Sequence, residues 1–260
     1  MDVLGLIPTF LGLLETHPGD AAVLVMPDND GGAQYELQCL NNPGGIQDMT
    51  FLATDVPDYI ARLVRVQPPG RAWGVAGYSE GGYCTANIAL QNPARYGAAG
   101  VMSGYFAPIA SQVPTGNRPG GKPYQVDVFR GHPLLLLINT PEEYVNLVPA
   151  DELPAFWLVA GAQDKADVIA AVDFRQLLLG RLASVPLLIV PGGGHQGSVW
   201  RAALGPMLSW MTPQLAEQAA KADAAAAAAA ARAAAARAAA QHRAHSAKPR
   251  PARTPAKPRK

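Results

Sequence analysis

Two short glycine-rich stretches carry the residues best suited to chemistry: Gly77-Tyr78-Ser79-Glu80-Gly81-Gly82 and Gly192-Gly193-Gly194-His195-Gln196-Gly197. The first fits G-x-S-x-G, the pattern of a serine carried on a sharp strand-to-helix turn. Glycines on either side let two backbones pass without a Cβ clash, and the serine Oγ is lifted clear of the chain. The bare pattern is common, so its context matters. Here an apolar run, residues 72–76 (AWGVA), precedes it and a helical pattern follows from Gly81. That context predicts Ser79 as a nucleophile. It also predicts the backbone N–H of Glu80, at the helix start, as donor to a developing oxyanion.

Such a nucleophile needs a base and an orienting acid, in the chain order Ser, Asp/Glu, His for this type of turn. His195 follows the last apolar run on a flexible glycine loop, where it can reach Ser79. His17 and His132 lie beside Pro or Gly in connecting segments, and His242 and His245 fall near the C-terminus. A lone loop histidine is more often a polar surface residue; the serine turn and the chain order favour a general base. The expected acid is Asp164, just past the fourth apolar run, where it can hold the histidine tautomer. Asp167 is the reserve, since it and Asp173 read as helix residues. The resulting chemistry is acyl transfer from an ester through a serine acyl-enzyme. No metal or cofactor is expected, because HExxH, zinc-spaced cysteines and a phosphate loop are all missing from the sequence.

The elements that must place these residues follow from periodicity. Apolar runs at 21–26, 72–76, 98–103, 154–160 and 185–190 suit buried parallel strands. Helical patterns fall at 55–66, 82–91, 141–147, 166–181 and 200–210, with an amphipathic helix before His17. This alternation predicts a mostly parallel sheet with helices on both faces. Segments 28–45 and 108–133, rich in Asn, Asp, Gly and Pro, read as irregular loops that shape the pocket.

The net charge of +1 conceals a division. From Lys221 onward there are ten Lys/Arg and one acidic residue, leaving eleven Lys/Arg against nineteen Asp/Glu in residues 1–220. A mildly acidic domain over residues 1–213 is therefore expected, followed by a tail over 214–260, first Ala-rich and helical, then basic, Pro-rich and disordered. The tail can touch anionic surfaces, but an acidic body offers no groove for specific nucleic-acid binding. No run is long and apolar enough for a transmembrane helix, and residues 1–8 lack the basic start of a signal peptide. Cys39 and Cys84 read either as two buried thiols or as one disulfide in an exported domain.

At these residues the chain resembles the putative esterase family of α/β hydrolases, which includes esterase D and the mycolyltransferases of mycobacteria. It is similar in particular to actinobacterial members. The resemblance runs over residues 5–210. It is carried by Met26-Pro27-Asp28, by GYSEGGYCTANIALQNPARYGAAGVMSGYF at 77–106, by GAQD at 161–164 and by GGGHQGSVWRAAL at 192–204. The spacing from His195 to Trp200-Arg201 is its most specific part. It implies an α/β-hydrolase fold and a Ser79, Asp164, His195 triad. It also implies an extracytoplasmic or membrane-associated setting, in which a Cys39–Cys84 bridge would form.

One departure stands out. The family has strands before the helix that opens this chain, one of them central and ending in a His-Gly type loop that supplies a second oxyanion donor. The fold is thus expected to be truncated at its N-terminus, with a true start upstream of Met1 favoured over a degraded remnant or a sheet completed by a partner chain. An acyltransferase sharing the same triad falls under the same reading. Readings of other classes are a non-catalytic relative that binds cell-wall lipid or glycan, and a binder of nucleic acid or anionic surfaces through the basic tail. The ester itself is not legible in the sequence.

Overall fold

The computed structural model describes residues 4–20, 22–29, 37–43, 45–109, 112–117, 123–127, 129 and 131–246. The chain divides into two compact units after Ala219.

In the first unit, α1 (Leu6–Thr16) opens the chain, and α2 (Asp48–Thr50) runs through a π-helical turn into α3 (Val56–Leu63). Then come β1 (Gly74–Tyr78), α4 (Glu80–Gln91) and β2 (Ala98–Met102). A hairpin of β3 (Gln112–Asn117) and β4 (Pro123–Asp127) leads to α5 (Pro133–Ile138) and α6 (Pro141–Tyr144). The chain continues through β5 (Ala155–Gly161), α7 (Lys165–Leu179), β6 (Leu187–Val190) and α8 (Gly197–Ser246). The second unit contains the Ala-rich part of α8. Its remaining residues, 247–260, including the basic Pro-rich stretch, lie outside the described residues.

Strands β1, β2, β5 and β6 form one parallel sheet in the order β1-β2-β5-β6. Its two faces are covered by different residues of the same strands, as period-2 geometry requires. From β5, Phe156 and Leu158 join Phe174 and Leu178 of α7 and Ala86, Ala89 and Leu90 of α4 on one face. Trp157 and Val159 point the other way, onto Val199, Ala203, Leu204 and Met207 of α8 and Phe10 of α1. Burial on both faces explains why β2 and β5 read as continuous apolar runs. This is the α/β-hydrolase architecture.

Four of the five expected strands are present, some shifted by two residues. The expected run at 72–76 begins late: Ala72 and Trp73 lie before the ladder, whose register pairs Gly74 with Ala98 and Tyr78 with Met102. The run at 21–26 is corrected, because its described residues, 22–26, form no strand. A strand exists only where a neighbour accepts its ladder bonds. Among the described residues β1 is the edge strand on its side, and residues 22–26 pair with no strand, so this apolar segment takes part in no ladder. A second correction concerns 108–133, expected to be irregular. Its antiparallel hairpin pairs Val113 with Val126 in a sheet of its own, with a register shift near Pro114 that hides any alternation. The apolar run Pro133–Ile138, which follows that stretch, is helical.

No helix among the described residues is long and apolar enough to cross a membrane.

Candidate active site

Ser79 occupies the turn between β1 and α4 with φ 56° and ψ −122°. Positive φ is costly for a residue with a Cβ, so the surroundings must enforce it. Ser79 N–H donates to the Met102 carbonyl at 2.9 Å, fastening the turn to the end of β2. The N–H groups of Gly82 and Tyr83 donate to the Ser79 carbonyl, so the helix starts at once. A Cβ on Gly77 would collide with the Gly81 backbone, which is why the turn needs glycine there. Glu80 is the first residue of α4, where backbone N–H groups carry the positive end of the helix dipole.

His195 is brought in by a lacing of the loops that follow β5 and β6. Ala162 N–H donates to the Val190 carbonyl at 3.0 Å, and Gln163 N–H to the Gly193 carbonyl at 2.7 Å. The glycine run passes so close over Gly161 that a side chain there would strike Gly193 and Gly194. His195 Nε2 lies 2.9 Å from Ser79 Oγ.

On its other side, His195 Nδ1 lies 2.7 Å from Asp167 Oδ2 and 3.3 Å from Asp164 Oδ2. Both expected carboxylates therefore converge on one nitrogen, the reserve residue nearer. Asp164 is also the N-cap of α7, where its Oδ1 accepts the Asp167 backbone N–H at 3.2 Å. Burial raises the Asp167 carboxyl above its ordinary range, against the lowering effect of the hydrogen bond and charge of His195; the charge of Asp164 adds to the rise. Among the described residues, Asp164, Asp167 and His195 are the one group with metal-ligating side chains together, their ligand atoms within 4.8 Å of one another. Those side chains are already joined to each other and to Ser79, so they form part of this site.

The sequence reading did not assign a role to Trp200. Its ring stacks on Tyr78 at 4.2 Å between centroids and meets His195 edge-on at 5.4 Å. The spacing from His195 to Trp200 was a visible signal: five residues on, in the first turn of α8, the indole returns to the histidine. Cys39 and Cys84 form a disulfide with Cα atoms 5.5 Å apart.

The Ser79–His195–carboxylate chain can take a proton from a hydroxyl and hold the resulting imidazolium, the equipment of serine acyl transfer. A family model described as "Putative esterase" matches residues 11–211. The chain belongs to the putative esterase family. An uncharacterized protein of Corynebacterium glutamicum is 26% identical over 202 residues, which are 75% of this chain and 45% of that protein. The MPT51 antigen of Mycobacterium leprae is 37% identical over 81 residues, 31% of this chain and 26% of its own length. The chain thus spans less than half the length of these curated relatives. Among solved structures, this esterase-family chain is similar in fold to MPT51 of Mycobacterium tuberculosis. The TM-score is 0.59 at 20% identity, covering 81% of this chain and 84% of that one.

Proposed function

We propose that this esterase-family chain is a serine hydrolase that cleaves carboxylic esters through an acyl-enzyme. The observation that supports this most is the continuous contact from Ser79 Oγ through His195 to a carboxylate, on a turn that holds Ser79 at positive φ. In the first step His195 Nε2 takes the Ser79 proton as Oγ attacks the ester carbonyl. The Glu80 N–H, at the positive end of α4, stabilises the oxyanion that forms. The imidazolium then protonates the leaving alkoxide. Water, activated by the same histidine, releases the acid and regenerates Ser79. An acceptor hydroxyl in place of water would make the reaction an acyl transfer with the same residues, so the two outcomes differ only in what reaches the acyl-enzyme.

Of the two carboxylates, Asp167 is proposed as the one that orients His195, because it is nearer to Nδ1 and Asp164 is engaged in capping α7. The Cys39–Cys84 disulfide supports a location outside the reducing cytosol.

The test is turnover of p-nitrophenyl esters of graded acyl length, together with covalent labelling by a fluorophosphonate, in wild type and Ser79→Ala. Turnover and labelling that both vanish in Ser79→Ala are expected. Equal rates in the two proteins would overturn the reading.

A further inference from the structure

Residues 37–42 form a loop whose position is set by two consecutive residues in the left-handed region, Gln38 at φ 50° and Cys39 at φ 49°. Neither is glycine, so this conformation is unfavourable by itself and persists only because its surroundings over-determine it. Two attachments do so, and both lead to the helix that carries the nucleophile turn. Gln38 N–H donates to Glu80 Oε1 at 2.5 Å, and Cys39 is bonded to Cys84. Glu80 and Cys84 are four residues apart on α4, one above the other on the same face. Adjacent residues of a strained loop thus grip adjacent turns of α4. The grip is buried: Glu80 is 8% exposed, Cys39 0% and Cys84 5%. The Gln38 side chain extends the connection, its Oε1 accepting the Ile109 N–H at 2.9 Å beyond the end of β2.

We infer that the Glu80 side chain and the Cys39–Cys84 disulfide are positioning groups for the reaction: together they fix the first turn of α4 and so aim the Glu80 N–H at the oxyanion. The reasoning rests on the serine-hydrolase reading above. Glu80 is the residue after the nucleophile, and its backbone direction is set by the turn on one side and by its own side chain on the other. A buried carboxylate held by a main-chain N–H cannot rotate without losing that bond. The disulfide holds the donor of that bond in place from one turn further along.

Such a role makes specific demands on kinetics. Misaiming an oxyanion donor weakens the transition state and leaves ground-state binding alone, so kcat falls and KM does not. The experiment compares three changes by ester turnover, with near-ultraviolet circular dichroism and Tm recorded for each. They are Glu80→Ala, Glu80→Gln, and the double change Cys39→Ala with Cys84→Ala, which keeps the buried site apolar. Glu80→Ala and the double alanine protein should each lose about tenfold in kcat, a part of the roughly 10²–10³ that loss of a whole donor costs, with KM within about twofold. Glu80→Gln, which keeps an acceptor oxygen, should lose less than Glu80→Ala. Glu80→Ala combined with the double cysteine change should cost little more than either alone, because both act through one loop.

A kcat within about twofold of wild type for Glu80→Ala, or losses that multiply as for independent sites, would overturn the inference. So would equal losses for Glu80→Ala and Glu80→Gln. If the cysteine variant fails to fold, the Glu80 pair decides alone. Wild-type protein that neither turns over esters nor labels with fluorophosphonate would remove the hydrolase reading itself. Labelled, active protein with an indifferent Glu80 removes only this inference.

Discussion

Asp164 accepts the backbone N–H of Asp167, so the residue that starts α7 sets the position of the carboxylate that meets His195. Asp164 caps the helix and lies 3.3 Å from His195 Nδ1, while Asp167, in the first turn, lies 2.7 Å from it. The two duties are separable by mutation.

Asp167→Asn is expected to lower kcat by about 10²–10⁴, since an amide at that place no longer holds the tautomer or stabilises the imidazolium. Asp164→Ala should keep more activity and instead lose about 0.5–2 kcal/mol of stability with its N-cap. Steady-state kinetics beside thermal unfolding of both variants separates the roles. The reverse ranking in kcat would assign the orienting role to Asp164.

Burial raises the Asp167 carboxyl, and this has a signed consequence for stability. The folded protein binds that proton more tightly than the unfolded chain does. The stabilisation is present below the ordinary Asp value and is lost as pH rises through the raised folded value. Asp167→Asn has no such proton. The Tm of wild type minus that of Asp167→Asn should therefore fall as pH is raised across the carboxylate range. A difference that rises with pH would contradict the assignment.

Trp200 meets both Tyr78 and His195 through its rings, while its Nε1 is buried with no hydrogen-bond partner among the described residues. The ring is the useful part. Trp200→Ala should cut kcat by about two- to twelvefold, the kinetic equivalent of one aromatic pair worth about 0.5–1.5 kcal/mol. Trp200→Phe should retain most of it. Equal losses in the two variants would mean that the indole N–H matters after all.

Away from the chemistry, Asn139 ties α4 to the turn between α5 and α6. Its Oδ1 accepts from Asn87 Nδ2 at 2.9 Å and from Gln91 Nε2 at 3.0 Å, and its carbonyl accepts from Tyr83 Oη at 2.8 Å. Asn139→Ala removes the acceptor shared by the Asn87 and Gln91 amides, leaving Asn87 only a long bond to Tyr83 Oη at 3.4 Å and Gln91 its bond to Asn87 Oδ1. It should cost about 1–3 kcal/mol in denaturant unfolding while leaving KM unchanged.

What the sequence determined by itself is local. The glycines around Ser79, the apolar run before them and the helix after them specify a strand-turn-helix, and that sharp turn holds Ser79 at φ 56°. The glycine loop at 192–194 places His195 after a strand end. The apolar runs at 98–103 and 154–160 needed only burial on both faces to become β2 and β5. Tertiary structure decided the rest. By sequence Asp164 is the expected acid and Asp167, one helical turn on, the reserve. Both converge on His195 Nδ1, at 3.3 Å and 2.7 Å, because the glycine loop after β6 crosses Gly161 at the end of β5, a contact between segments far apart in sequence. The run at 22–26 has a strand's composition, yet a strand needs a neighbour, and none of the described strands flanks it. Cys39 and Cys84 could not be paired by spacing alone. They were joined by a fold that sets a left-handed loop against the same face of α4 as Glu80, through contacts that no local pattern encodes.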